Sequence, residues 1–128
     1  MPGGELSVLN RAWYWYFNKY LKIEGTATCP TSDAKCIVNF GNQKSDRVNY
    51  NVLFTDYDRY AVVYSCYNLT SWLKSEYFWV LSRHNTLENG VMDEIKAKVR
   101  DHPLNYNIDK FTEKTLHTNC EYAGTPEK

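Results

Sequence analysis

The sequence predicts a mainly β fold with one helix packed against it, and three observations carry that prediction. Aromatic residues make up 16% of the 128 positions, with eleven Tyr and four Trp, side chains suited to half-buried pleated surfaces. Short β-prone runs alternate with turn-rich segments as far as residue 81. A single later stretch, 86–100, switches to an apolar spacing of four, which is a helical period.

The elements follow in order. Residues 6–10 form a short β-prone run and 13–24 interleave Tyr14, Tyr16, Lys22 and Glu24 with bulky apolar groups, which reads as two strands joined around 11–19. Residues 25–28 and 37–40 flank the turn-rich segment Cys29-Pro30-Thr31-Ser32-Asp33-Ala34-Lys35-Cys36, a hairpin with a cysteine at each shoulder. Four cysteines allow three pairings, and local geometry favours Cys29 with Cys36 because the flanking strands bring their Cβ atoms to about 4 Å. A second hairpin joins 50–54 to 60–64 through Thr55-Asp56-Tyr57-Asp58-Arg59, where carboxylates bond local amides.

Residues 77–81 are apolar at every position, so one face of that strand meets a core or cavity and the other meets packed structure. The helix supplies that packing. Leu87, Val91, Ile95 and Val99 recur every fourth residue, and Glu88, Asp93 and Glu94 precede Lys96, Lys98 and Arg100 as the helix dipole favours. Thr86 is expected to cap its start, Gly90 to weaken its interior, and Pro103 to stop it. A last strand is expected at 111–118, followed by a polar, flexible tail at 123–128. A chain of this length suits one domain, 1–128.

Fifteen Lys and Arg balance fifteen Asp and Glu, so no net field draws the molecule to phosphate backbones, and nucleic acid is excluded as an expected partner. No run approaches the roughly 18 apolar residues that cross a bilayer, so no transmembrane segment is expected. The first residues lack the basic start and apolar stretch of a secretory leader. An extracellular origin is nonetheless expected from the four cysteines and the glycosylation sequon at Asn68, Asn68-Leu69-Thr70.

His84, His102 and His117 stand far apart without metal-ligand spacing and read as surface histidines. Phosphate-cradling glycine loops and a Gly-X-Ser-X-Gly elbow are absent from the sequence. Asp56 and Asp58 have the spacing of an acid–base pair on a strand, but turn-forming carboxylates are the favoured reading. Cys66 has no histidine or cationic cluster beside it to make a thiolate, so a structural half-cystine is favoured over a nucleophile.

The segment Thr55-Asp56-Tyr57-Asp58-Arg59-Tyr60-Ala61-Val62-Val63-Tyr64-Ser65-Cys66 resembles the second conserved segment of the lipocalin family, in the branch that holds apolipoprotein D, insecticyanin, bilin-binding protein and crustacyanin. Trp79-Val80-Leu81-Ser82-Arg83, the helix, Asn107-Ile108-Asp109 and Cys120 resemble the third segment and the end of that branch. Ser7-Val8-Leu9-Asn10-Arg11 resembles an early mid-barrel strand. The resemblance implies an antiparallel up-and-down barrel with a helix on its wall, open at one mouth.

Here the family's Gly-X-Trp strand and its second strand do not precede Ser7, so an N-terminally incomplete barrel of about seven strands is expected, a partial sequence or an alternative isoform. By the same resemblance Arg83 loses its tryptophan partner, and Cys66 and Cys120 lose the N-terminal cysteines with which their counterparts pair, leaving both unpaired.

The resemblance also places Asn10, Asn51 and Trp79 at pocket-lining positions, Asn51 standing where the family has a large aromatic. The period of two adds Tyr77 and Leu81 to the face of Trp79, and Tyr50 is placed at the mouth. The aromatics at 13–17 read either as help for a flat pigment or as an exposed patch.

The expected function is a non-enzymatic extracellular carrier of a small hydrophobic ligand, a bilin, carotenoid, sterol or fatty acid, with no cofactor required. Two readings stand beside it. One is a self-association or interaction module, homodimeric through an exposed barrel edge; the other is a thiol-dependent isomerase, which requires a cavity cysteine.

Overall fold

The computed structural model describes residues 4–120. Among them run β1 (Glu5–Tyr14), β2 (Lys19–Thr28), β3 (Lys35–Phe40), β4 (Tyr50–Thr55), β5 (Tyr60–Asn68), β6 (Lys74–Ser82), α1 (Val91–Asp101) and α2 (Ile108–Phe111). Each strand hydrogen-bonds its neighbour in sequence, in the order β1-β2-β3-β4-β5-β6, and the fold is an antiparallel meander followed by helix. The chain divides into two compact units, one containing residues up to Asn51 together with Asn119 and Cys120, the other Val52–Thr118. The tail expected at 123–128 lies outside the described residues.

In the first unit β1 and β2 pair along their whole length, from Glu5 opposite Thr28 to Tyr14 opposite Lys19, and the turn is confined to 15–18. β1 is therefore longer than the sequence indicates, because the aromatic run carries the ladder on through Tyr14. β3 joins β2 with Gly25 opposite Phe40 and Thr28 opposite Ile37. Gly25 is needed there, since a Cβ would lie 2.1 Å from the Asn39 carbonyl oxygen. Cys29 and Cys36 form the expected disulfide, at a Cα–Cα distance of 4.1 Å. The side chain of Asn49, just before β4, extends the β3–β4 pairing along β3: its Oδ1 accepts from Val38 N at 2.7 Å and its Nδ2 donates to Val38 O at 2.8 Å.

In the second unit β5 and β6 pair from Tyr60 opposite Ser82 to Asn68 opposite Lys74. Directly opposed residues of an antiparallel pair share a face. One face therefore carries Tyr60, Val62, Tyr64, Phe78 and Val80, and the core forms there against Val91, Ile95, Val99 and Ile108. The spacing of four buries one stripe of α1 as the sequence predicts, and full burial of those three helical side chains contributes roughly 5–9 kcal/mol.

Three expectations are corrected. Thr86 is not the helix cap: Gly90 occupies that position at φ 84°, and the left-handed backbone there starts the helix at Val91, leaving Leu87 to pack on the core from outside it. Gly90 consequently weakens no helix interior. The strand expected at 111–118 does not form, and the described chain has six strands. Asn107 Oδ1 instead accepts from Lys110 N at 3.0 Å, and this cap, with Ile108 anchored in the core, turns 108–111 into α2. Residues 112–117 follow without a ladder.

Candidate functional site

The turn from β4 to β5 is held almost entirely by side chains. Thr55 Oγ1 donates to Tyr60 O at 2.6 Å and accepts from Tyr57 N at 3.0 Å. Asp56 Oδ1 accepts from Arg59 N at 2.8 Å, Tyr60 N at 3.1 Å and Asp58 N at 3.2 Å, while its Oδ2 accepts from Arg59 Nε at 2.6 Å. Partial desolvation works against the ionised form of Asp56, but the Arg59 and Tyr60 amides and the Arg59 guanidinium outweigh it and hold the carboxyl well below the usual carboxylate range. A carboxylate so committed to backbone amides is a turn brace, and the acid–base reading of Asp56 and Asp58 has no geometry behind it.

The brace extends to the helix. Arg59 Nη2 donates to Glu94 Oε2 at 3.2 Å, Tyr60 OH donates to Glu94 Oε1 at 3.1 Å, and Lys98 Nζ donates to Tyr60 OH at 3.0 Å. Tyr57 sits at φ 66°, which aims its carbonyl outward to accept from Arg83 Nε at 3.1 Å and Nη2 at 2.8 Å. Arg83, expected to lack its tryptophan, has this carbonyl as its partner.

The opposite face of β5 and β6 carries Ala61 opposite Leu81, Val63 opposite Trp79, and Ser65 opposite Tyr77. Tyr77 and Trp79 stack with ring centroids 5.7 Å apart and planes 7° from parallel, and Tyr67 meets Tyr77 edge-on at 6.0 Å. Helix α1 covers the other face, while Tyr77, Trp79 and Leu81 stay 48%, 40% and 43% exposed. The structure thus brings three of the candidate ligand residues together as one apolar strip.

Ser65 lies in the same strip and is fully buried, with no hydrogen-bond partner for its Oγ among the described residues. Sequence reasoning missed it. Its place in the alternation Ala61, Val63, Ser65 was legible, but the absence of a partner was not.

The first unit has an apolar face of its own. Asn10 stands opposite Ile23 and shares its face with Leu6, Val8 and Leu21; the ladder continues that face through Ala27 and Val38. By the period of two along β3, Cys36 joins Val38 on it, and Tyr50 stands opposite Cys36. Tyr50 therefore shares the face of Asn10, where burial pushes its phenol up. Asn51 stands opposite Lys35 on the reverse side of the sheet, so the register places Tyr50 and Asn51 on different faces. A groove of about 730 Å³ also lies on that reverse side, lined by Glu5, Ser7, Glu24, Thr26 and Asn39 among others, and contains none of the candidate ligand residues.

Cys66 stands opposite Glu76 on the helix-bearing face and is exposed; Cys120 is half-buried, and neither forms a disulfide. Cys66 faces away from the Trp79 strip, so it does not meet the isomerase reading's need for a cavity cysteine. Asn68 ends β5 in an exposed position. His102 Nδ1 accepts from Leu104 N at 3.1 Å and so supports the turn after α1.

A model of the lipocalin / cytosolic fatty-acid binding protein family matches residues 4–116. The chain belongs to the lipocalin family. Apolipoprotein D of Cavia porcellus is 37% identical to this lipocalin over 101 residues, covering 77% of the chain and 51% of that protein. The Lazarillo protein of Schistocerca americana is 32% identical over 82 residues, 63% of this chain and 37% of the relative.

Among solved structures, apocrustacyanin C1 superposes with a TM-score of 0.73 at 19% identity, over 94% of this lipocalin and 64% of that chain. Lobster apocrustacyanin A1 gives 0.66 at 19%, over 82% and 56%. The matches fall in the apolipoprotein D and crustacyanin branch to which the Thr55-Asp56-Tyr57 block points, and the structural ones establish the fold. This lipocalin spans about half the length of the apolipoprotein D it matches.

Proposed function

We propose that this lipocalin is an extracellular, non-enzymatic carrier of a small hydrophobic ligand, acting as a single lipocalin domain. The observation that carries the proposal is the stacked pair Tyr77 and Trp79, which with Leu81 forms an accessible apolar strip on the side of the sheet away from the helix. Flat aromatic surface of that kind recovers free energy by burying an apolar guest, and a few polar groups fix the guest's orientation.

The ligand-facing residues in this reading are Trp79, Tyr77 and Leu81 on β6. The resemblance to the apolipoprotein D and crustacyanin branch favours, in this reading, a conjugated ligand such as a bilin or carotenoid over a sterol or fatty acid. Secretion accords with the Cys29–Cys36 disulfide, the apolipoprotein D relatives and the exposed Asn68, which we assign as the glycosylation site.

A second reading, self-association through an exposed edge, is favoured by β1, a ten-residue strand that ends the sheet order and pairs with β2 alone among the described strands.

Titration of the purified chain with biliverdin, astaxanthin, a sterol and a fatty acid, followed by Trp fluorescence and visible absorption, tests the first reading, and sizing of the same sample tests the second. Saturable uptake by a monomer supports the carrier and defeats self-association; dimers that take up none of the four overturn the carrier.

A further inference from the structure

The tip that joins β1 to β2 carries Trp13-Tyr14-Trp15-Tyr16-Phe17, five aromatic residues in unbroken succession. A strand that lines a cavity alternates inward and outward, whereas consecutive aromatics at a hairpin tip project to both sides, so no single surface covers them all. They are correspondingly open: Trp15 is 79% exposed and Tyr16 71%.

The tip is nonetheless ordered. Phe17 N donates to Tyr14 O at 3.2 Å, Asn18 N donates to Trp15 O at 3.3 Å, and Asn18 takes the left-handed turn position at φ 49°. Tyr14 and Phe17 stack at 5.2 Å, and Tyr16 meets both Trp15 and Phe17 edge-on. Little conformational entropy remains to be lost on docking.

The charge around the tip has one sign. Residues 6–23 contain Arg11, Lys19 and Lys22 and no Asp or Glu. Lys19 Nζ lies 5.6 Å from the Phe17 ring centroid, and the first acidic residue after the tip, Glu24, is paired with Lys22 at 2.8 Å. Amphipathic aromatic rings bordered by cations match the chemistry of a lipid headgroup layer, where Trp and Tyr rest at the interface and Lys meets phosphate.

We propose that this hairpin tip docks the protein on the surface of a lipid bilayer. Trp15, Tyr16 and Phe17 enter the headgroup region, and Lys19, at the end of the tip, faces anionic lipid, while Lys22 stays paired with Glu24. A second copy of the chain fits the tip less well, because a four-residue turn offers no extended ladder to pair with, while a fluid interface needs no complementary shape.

The test is co-flotation of the full chain with vesicles of phosphatidylcholine, alone or with one part in four phosphatidylserine, and with neither pigment nor fatty acid present. The native protein should float with the vesicles, favour the anionic ones, and show Trp fluorescence quenched by nitroxide-labelled lipid. The double variant Trp15→Ser/Phe17→Ser should lose about tenfold or more in partition. Lys19→Gln should reduce the preference for phosphatidylserine several-fold.

Circular dichroism and the urea midpoint verify that each variant is folded, and the quenching of the native protein is independent of any variant. Equal flotation of the native and double-serine proteins, no quenching, or aromatic-dependent dimers that ignore vesicles would each overturn the proposal. Because the vesicles carry no ligand, a chain that binds pigment yet stays in solution fails this proposal and leaves the carrier reading standing.

Discussion

Replacing Trp79 with alanine is the sharpest test of the ligand strip. Trp79 keeps 40% of its surface exposed beside Tyr77. A Trp side chain buries at most about 250 Å², so a guest that covers the remainder removes about 100 Å² of mostly apolar surface from water. At about 25 cal/mol per Å² this is about 2.5 kcal/mol, or roughly 70-fold in Kd. Trp79→Ala should therefore weaken the best of the four test ligands by tens of fold, and Trp79→Phe, which keeps a smaller ring, should fall between.

The measurement is a fluorescence or absorbance titration on monomeric protein whose far-ultraviolet circular dichroism matches the native chain. An unchanged Kd in a folded Trp79→Ala protein would show that the guest sits elsewhere, and the strip would then be exposed surface without a binding role.

Removing the Cys29–Cys36 crosslink by Cys29→Ser and Cys36→Ser opens a loop whose ends are 7 residues apart. Chain entropy puts the loss near 2.5 kcal/mol, visible as a drop of about 1–2 M in the urea midpoint. Ile95 is fully buried in the helix–sheet core, so Ile95→Ala should destabilise by about 2–5 kcal/mol in the same assay, while ligand affinity in the folded fraction stays unchanged.

Asp56 has a folded pKa below its unfolded value, so its stabilising effect is present above about pH 4 and is lost as pH falls through the folded pKa. Asp56→Asn should be less stable than the native chain at neutral pH, with the gap closing under acid; a gap constant down to pH 2 would refute the turn-brace role.

Much of this molecule is local chemistry, and local chemistry is legible. The buried stripe Val91, Ile95 and Val99 follows from helical spacing, and the Cys29–Cys36 hairpin follows from two β-prone arms around a turn-rich loop. The block from Thr55 to Tyr60 carries its own hydrogen-bond partners within six residues, so it kept the geometry its residue types imply.

Where sequence reasoning missed, a short-range signal was outweighed by a neighbour. Thr86 is a good cap in isolation, but the left-handed backbone at Gly90 sets the helix start four residues later. Residues 112–117 are not a strand because α2 forms just before them, once Asn107 caps it and Ile108 is buried in the core.

By itself the amino-acid order determined that there would be six early strands with two-sided patterns, one amphipathic helix and a braced turn, because those properties depend on residues within a turn or two of each other. Only the tertiary structure decided which side of β4 faces which way. A period of two defines two faces and is silent on their direction, so Tyr50 and Asn51 were interchangeable until pairing with Cys36 and Lys35 on β3 set the register. The unpartnered hydroxyl of Ser65 was decided in the same way, since whether a buried polar atom finds a partner depends on what distant strands and side chains bring to it.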